Sequence, residues 1–390
     1  MKTNISILGS TGSIGLTTLK IVDKKKSLFN IDLLSANKNY NLICKQIKKY
    51  KPKIFIIKDT NTLNKIKKKF KRKKIFFQNN FQNLNLKKKS NITISSIPGI
   101  AGLSPTISMI KFSKKILIAN KESIICGWKF INSIAKKNKV KIIPIDSEHY
   151  SIYKLLENHS LDEIDKIFIT ASGGPLLNYD YRKLKKIRPR QVLKHPKWKM
   201  GKKISTDSSN LMNKILELIE AQKIFKLPEN KIDILIHPNS LVHAIIQFKN
   251  GLSKLLFHDT NMIIPISNAI FENKINIKEL YIPKTNFKNK EINLVFKKVN
   301  SKTFPIIKLK NEINKYPSTG IIINAVNEVM VDKFLKKKVS FLTINKSIFR
   351  IMRDRNYIKY AVKDPKSLNE ILNIDLWARN KTFKMLSKIK

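Results

Sequence analysis

Asn4-Ile5-Ser6-Ile7-Leu8-Gly9-Ser10-Thr11-Gly12-Ser13-Ile14-Gly15 is an apolar run followed at once by three evenly spaced glycines, and helix-forming residues Leu16 to Val22 come next. Glycines there let the backbone turn tightly and approach a phosphate, while the free N–H groups of a helix start point at it. The stretch therefore predicts a strand, a turn and a helix that hold the pyrophosphate of a dinucleotide, with Gly9, Gly12 and Gly15 as the turn residues. The Gly-x-x-Gly-x-x-Gly spacing differs from the commoner Gly-x-Gly-x-x-Gly, and alone it also fits an ordinary glycine-rich turn. Its place at the first strand-helix junction of a longer array favours the cofactor.

That array is legible outward from the turn. Asn4 to Leu8, Asn30 to Ser35, Lys53 to Ile57, Ile92 to Ile97, Ile116 to Ala119 and Val140 to Ile145 read as strands separated by helix-length segments. Such alternation predicts an α/β domain at residues 1–145 with a Rossmann-like doubly wound parallel sheet. At the end of the second strand, Ser35-Ala36-Asn37-Lys38-Asn39 has no carboxylate for ribose hydroxyls, and Lys38 suits a 2′-phosphate. NADPH is expected over NADH.

A chain of 390 residues exceeds the roughly 250 to 300 at which single cores stop growing. Residues 146–271 predict a central α+β catalytic domain, 272–302 a connecting segment and 303–390 a helical C-terminal domain. Ile321 to Leu335 is apolar on a broad face, and Ser367 with Glu370 fits a capping box opening a last helix. The formal charge of +51 first suggests a polyanion partner. However, seventy lysines stand against eight arginines and run from Lys2 to Lys390. A nucleic-acid binder favours bidentate arginine on one face, so Lys65 to Lys74 and Lys87 to Lys89 read as solvated surface, with no nucleic-acid partner. Cys44 and Cys126 are too few for a disulfide framework. No apolar run approaches the roughly 18 residues of a membrane helix, so a cytoplasmic protein without a membrane partner is expected.

Chemistry gathers in the central region. Asp146 and Glu148 follow the sixth strand at the carboxyl edge of the sheet, where ligands bind, and an extended backbone would aim both at one cation. In Ile204 to Glu217, Asp207 or Ser208 can cap a helix running to about Ala221 that carries Asn213, Lys214 and Glu217 on one side. A helix start with serine, amide and ammonium suits a phosphate monoester, and Glu217 can add a third oxygen ligand. All-oxygen ligation favours Mg²⁺ or Mn²⁺. Ser172-Gly173-Gly174 offers an oxyanion loop or a plain turn. His195-Pro196-Lys197-Trp198-Lys199-Met200-Gly201 is a loop either pinned by its tryptophan or closing as a lid, about 192–202.

Together these stretches resemble the 1-deoxy-D-xylulose 5-phosphate reductoisomerase family. The matching blocks are I-L-G-S-T-G-S-I-G, L-I-A-N-K-E-S, P-I-D-S-E-H, S-G-G-P, H-P-K-W-K-M-G-K-K-I-S, D-S-S-N-L-M-N-K-I-L-E and L-I-H-P-N-S-L-V-H, in the family's order. The resemblance implies a cytoplasmic, homodimeric enzyme of non-mevalonate isoprenoid biosynthesis. It would rearrange and reduce 1-deoxy-D-xylulose 5-phosphate to 2-C-methyl-D-erythritol 4-phosphate with NADPH and a divalent metal. By position it implies metal ligation by Asp146, Glu148 and Glu217. Substrate contacts would come from Lys121, Ser147, Glu148, Ser172, His195, Trp198, Ser208, Asn213, Lys214 and Glu217, with Lys121 and His195 also catalytic. Cofactor contacts would come from Thr11, Gly12, Ser13, Ile14, Asn37, Lys38, Asn39, Asn120, Glu122 and Gly201. The chain departs from the family at Asn37, usually glycine, at Lys197, Lys199 and Lys202, and at Phe257 to Met262, where a Pro-Asp-Met-Arg pattern keeps only Met262. Another NADP-dependent dehydrogenase of phosphorylated substrates would need no metal.

Overall fold

The computed structural model describes residues 2–82, 84, 86, 88–198, 200–285 and 292–387. Lys87, Lys199 and Lys390 lie outside the described residues, as do 286–291 of the expected connecting segment. Contacts divide the chain into two units. One holds Met1–Ser123, Trp128–Tyr150 and Asn261–Lys284, the other Ile124–Gly127, Ser151–Thr260 and Thr285–Lys390.

The first unit is built on seven parallel strands: β1 (Thr3–Leu8), β2 (Phe29–Ala36), β3 (Ile54–Ile57), β4 (Phe76–Gln78), β5 (Ser90–Ser95), β6 (Ser113–Ile118) and β7 (Lys141–Pro144). Their order is β4-β3-β2-β1-β5-β6-β7. The chain fills one side of β1 and then crosses to the other, which puts the switch point of a doubly wound sheet between β1 and β5. All six expected strands form, and β4 is an added short edge. Aliphatic side chains explain the pairing: Ile5 sits in register with Ile31 on one side and Ile92 on the other, and Ile5 and Ile7 are fully buried. Leu8, Leu33, Ile54, Ile56, Leu84 and Met109 form one core cluster. Buried Asp32 is kept inside this sheet by Lys53 at 2.7 Å and the Ser90 hydroxyl at 3.0 Å, since a buried carboxylate needs partners. The helix Ile263–Phe271 also belongs to this unit, and Lys115 donates to Ala269 O at its end at 3.1 Å.

The second unit has a five-stranded mixed sheet of β8 (Ile164–Ala171), β9 (Ile232–Ile236), β10 (Val242–Phe248), β11 (Ser253–Phe257) and β12 (Lys297–Lys298) in the order β11-β10-β8-β9-β12. β8 and β9 are parallel and the other pairs antiparallel. The helical C-terminal region is Thr319–Leu335, Phe341–Met352 and Leu368–Ser387, with the short Tyr357–Ala361 between the last two. Half of the expected capping box forms: Glu370 N donates to Ser367 Oγ at 3.2 Å, while Glu370 Oε2 accepts at 3.0 Å from Lys366 N, one residue before the cap. Among the described residues no helix is long and apolar enough to cross a membrane.

One expected helix is divided. The segment 202–225 forms Lys202–Ser209 and Met212–Phe225, broken at Leu211 with φ of 62°. Asp207 and Ser208 therefore end a helix instead of starting one. Asp207 is buried and engaged by Lys203 at 3.0 Å and Asn327 at 2.9 Å, and Asn210 takes over the break by accepting from Met212 N.

Candidate active site

In the first unit, β1 delivers the chain into the glycine turn. Gly9 has φ of +85°, and a Cβ on it would lie 2.9 Å from Ser96 O. At Gly15 a Cβ would lie 2.4 Å from Gly9 O and 2.7 Å from Ser10 Cα. Gly12 is less constrained, with its nearest backbone atom at 3.3 Å. It closes the turn by donating to Gly9 O at 3.0 Å and caps the helix Ser13–Lys24 without any side chain on the first N–H groups. Those groups are thus left to an anion. Thr11 to Ile14 are at the surface, and Asn37, Lys38 and Asn39 are exposed at the end of β2. Asn39 Oδ1 also caps the next helix at Leu42 N, 3.2 Å away.

Asn120 and Glu122 lie beyond β6 at the start of the helix Lys121–Lys137. The Asn120 amide accepts from Ser123 N at 2.6 Å and donates to Ile97 O, to Gly99 O at 3.0 Å and to Glu122 Oε2 at 3.2 Å. One side chain therefore ties the loop after β5 to the helix after β6. Residues alone do not single out Asn120-Lys121-Glu122, although an asparagine before Lys-Glu-Ser is a legible helix cap.

Asp146 and Glu148 do not stay extended. A helix Ser147–Leu155 begins between them, with Tyr150 N donating to Asp146 O at 2.8 Å. Asp146 Oδ1 accepts from Ser147 N at 3.0 Å, which favours helical turning directly after the strand. Asp146 Oδ2 lies 2.6 Å from Lys121 Nζ, and Ser147 Oγ donates to Glu148 Oε2 at 2.6 Å. The structure thus brings Lys121, Asp146, Ser147 and Glu148 into one group, with buried His149 Nδ1 4.0 Å from Asp146.

In the second unit, Asn213, Lys214 and Glu217 share one side of Met212–Phe225. Lys214 Nζ pairs with Glu217 at 2.6 Å, and Asn213 Nδ2 donates to the same carboxylate. Glu217 is fully buried. Ser172 follows β8. Its Oγ lies 3.0 Å from His195 Nε2 and accepts from Gly174 N at 3.0 Å. The Gly174 N–H expected to face an oxyanion is therefore engaged within the loop. Gly174, at φ of +66°, also lets this loop run close to the Ser208 backbone, where a Cβ would come within 2.9 Å.

His195 is held in one tautomer. Its Nδ1 accepts from Lys197 N at 3.2 Å and Trp198 N at 2.9 Å, so the proton sits on Nε2 and points at Ser172 Oγ. Burial, and then the Lys214 ammonium, pull its pKa down to about 4, which keeps the ring neutral near pH 7. With both oxygen lone pairs of Ser172 engaged, its hydroxyl hydrogen can donate outward. Trp198 packs edge-on against His243 at 5.8 Å, and His243 stacks on His258 at 3.8 Å. Thr260 Oγ1 donates to Lys197 O at 3.3 Å. The tryptophan loop is thus pinned to its own unit by a histidine pair. Gly201 starts Lys202–Ser209, with Ser205 N donating to its carbonyl at 3.0 Å.

Asp146 and Glu148 in the first unit and Glu217 in the second each carry a carboxylate. Hard oxygen donors without thiolate or imidazole fit Mg²⁺ or Mn²⁺.

Known proteins match along the whole chain. The family model for 1-deoxy-D-xylulose 5-phosphate reductoisomerase matches residues 5–127, and two models of that enzyme's C-terminal domain match 142–225 and 258–381. The 1-deoxy-D-xylulose 5-phosphate reductoisomerase of Pelagibacter ubique is 43% identical over 95% of this chain and 96% of its own. That of Buchnera aphidicola is 37% identical over 99% of both. A crystal structure of DOX-P reductoisomerase with NADPH, fosmidomycin and magnesium superposes with a TM-score of 0.91 at 27% identity, covering 99% of each chain. The Zymomonas mobilis enzyme with NADPH does so with a TM-score of 0.87 at 28% identity, again over 99% of each.

Proposed function

Because this chain belongs to the 1-deoxy-D-xylulose 5-phosphate reductoisomerase family, we propose that it carries its substrate through both a skeletal rearrangement and a reduction, to 2-C-methyl-D-erythritol 4-phosphate. The chain is an NADP-dependent oxidoreductase that converts 1-deoxy-D-xylulose 5-phosphate with NADPH and a divalent metal. The observation that carries the site assignment is the Ser172 network, in which neutral His195 and Gly174 N–H orient one hydroxyl as a donor.

In this reading Ser172, Ser208, Asn213 and Lys214 bind the phosphate, a handle remote from the reacting carbons that orients them. Lys121, Ser147, Glu148, His195 and Trp198 contact the rest of the substrate, and Trp198 excludes water. Asp146, Glu148 and Glu217 hold the cation, and Lys121 neutralises part of the charge gathered at Asp146. The helix start at Thr11 to Gly15 holds the cofactor pyrophosphate with Gly9 shaping the turn. Asn37, Lys38 and Asn39 meet the adenosine end, and Asn120, Glu122 and Gly201 the remainder. When bound, the cation supplies Lewis acidity to adjacent substrate oxygens and NADPH supplies hydride.

Residues 1–145 then form the NADPH-binding domain, and 146–271 the catalytic domain with its loop at about 192–202. Residues 272–302 connect it to a helical domain at 303–390. A homodimer in the cytoplasm completes the proposal. Among the described residues β11 is an edge strand of its sheet, beside Leu252 and Leu255, 63% and 43% exposed, and the two cysteines are buried and not joined in a disulfide. Light scattering reads the dimer directly. The activity test is NADPH consumption by the purified, folded chain. Oxidation is expected only with 1-deoxy-D-xylulose 5-phosphate and Mg²⁺ or Mn²⁺. Silence under those conditions refutes the proposal, and full activity in excess chelator favours a metal-independent dehydrogenase.

A further inference from the structure

Where lysine outnumbers arginine seventy to eight, a cluster of arginines is conspicuous. Three of the eight, Arg350, Arg353 and Arg355, fall within six residues at and just beyond the end of the helix Phe341–Met352. With Lys308, Lys346, Phe349 and Asp354 they line a cavity of about 840 Å³ within the second unit. That volume falls in the roughly 300 to 1,000 Å³ range of small-molecule sites.

Charge in this cavity is cancelled only in part from within the fold, by the pull between Arg355 and Asp354. Its one acid, Asp354, is engaged by Lys381 at 2.7 Å and by Asn356 N at 3.0 Å. Among the described residues, Lys308, Lys346, Arg350, Arg353 and Arg355 form no ion pair. Two blander accounts fall short. Cations near a helix C-terminus complement its dipole, yet lysine does that as well as arginine. A solvated basic face is ordinary on this chain, yet such faces here are made of lysine and need no concavity. Guanidinium forks match phosphate oxygens bidentately where an ammonium is a point charge.

We propose that this cavity binds a small organic molecule carrying a di- or polyphosphate, a site separate from the residues assigned above. Its phosphates meet Arg350, Arg353 and Arg355 with Lys308 and Lys346 in support, and Phe349 takes its apolar or ring portion. A concave site of this size suits a small molecule rather than the convex backbone of a nucleic-acid duplex.

Calorimetry on the full chain, saturated with NADPH in magnesium-free buffer, tests this with tripolyphosphate, ADP and inorganic phosphate as probes. Tripolyphosphate and ADP are expected to bind at one site, each at least about tenfold tighter than inorganic phosphate. Replacing the three arginines by lysine (R350K/R353K/R355K) keeps the charge and should weaken both by about tenfold or more, with turnover unchanged. Should that variant not fold, R350K, at an exposed position, gives the same readout at smaller amplitude. Equal affinity of wild type and variant places any binding elsewhere and overturns the proposal. So does a short DNA duplex that displaces tripolyphosphate and loses its own affinity in the same variant.

Discussion

Gly15→Ala separates a turn that must be glycine from one that merely contains glycine. The new Cβ would lie 2.4 Å from Gly9 O, 2.7 Å from Ser10 Cα and 2.9 Å from Ser10 C, all backbone atoms. Carbon and oxygen normally approach to about 3.2 Å or more, so the helix start must move by nearly 1 Å or the turn must open. Overpacking of this kind costs about 1 to 3 kcal/mol, an apparent Tm loss of about 2 to 10 °C. The larger effect falls on the cofactor. N–H groups displaced that far lose one or two charge-assisted hydrogen bonds to its pyrophosphate, about 1.5 to 3 kcal/mol each. KM for NADPH should therefore rise by at least about tenfold, with KM for the sugar phosphate little changed. Steady-state kinetics with each substrate varied, beside thermal unfolding, reads all of this. Wild-type KM for NADPH in Gly15→Ala refutes the reasoning.

Lys214→Ala removes the ammonium 2.6 Å from fully buried Glu217; KM for the sugar phosphate should rise by about tenfold or more while KM for NADPH holds, and equal changes in both would count against a phosphate clamp. Ser172→Ala leaves His195 Nε2–H and Gly174 N–H without their acceptor; about a tenfold rise in substrate KM is expected, and wild-type kinetics would sink the oriented-hydroxyl argument. Glu217→Gln should raise the metal concentration for half-maximal activity by about tenfold or more, and an unchanged metal titration would remove Glu217 from the ligand set. His195 has its pKa pulled down to about 4, so the folded chain binds fewer protons there than the unfolded one between about pH 4 and 6.5. Stability linked to it is full above about pH 6.5 and declines as pH falls toward 4; urea midpoints that shift identically with pH in wild type and His195→Gln would contradict this.

Local chemistry made much of this protein legible in advance. The six parallel strands are aliphatic runs at βαβ spacing, and the glycine turn declares itself because close backbone approach needs Gly9 and Gly15. Failures came where tertiary structure overrode local pattern. Residues 204–221 have continuous helical character, and nothing at Leu211 signals a left-handed residue, so the break and the displaced Ser208 were invisible. The extended reading of Asp146 and Glu148 failed because Asp146 starts a helix at once. The histidine pair under Trp198 joins residues 15 apart across a hairpin, a contact that only strand register creates. Asn120 and Lys121 are legible only through family resemblance, with Glu122 beside them, since Ile97, Gly99 and Asp146, which they engage, lie 21 to 25 residues away.

Asn120 has a further consequence for how this unit breathes. A single amide holds Ile97 O, Gly99 O and Ser123 N, so the loop after β5 cannot lift without also uncapping the helix after β6. Opening is then a joint event, and the amides around Gly102 and Ser123 should exchange their hydrogens with solvent at one shared rate. A ligand resting on this floor would meet a surface already set before it arrives and would leave through one collective fluctuation.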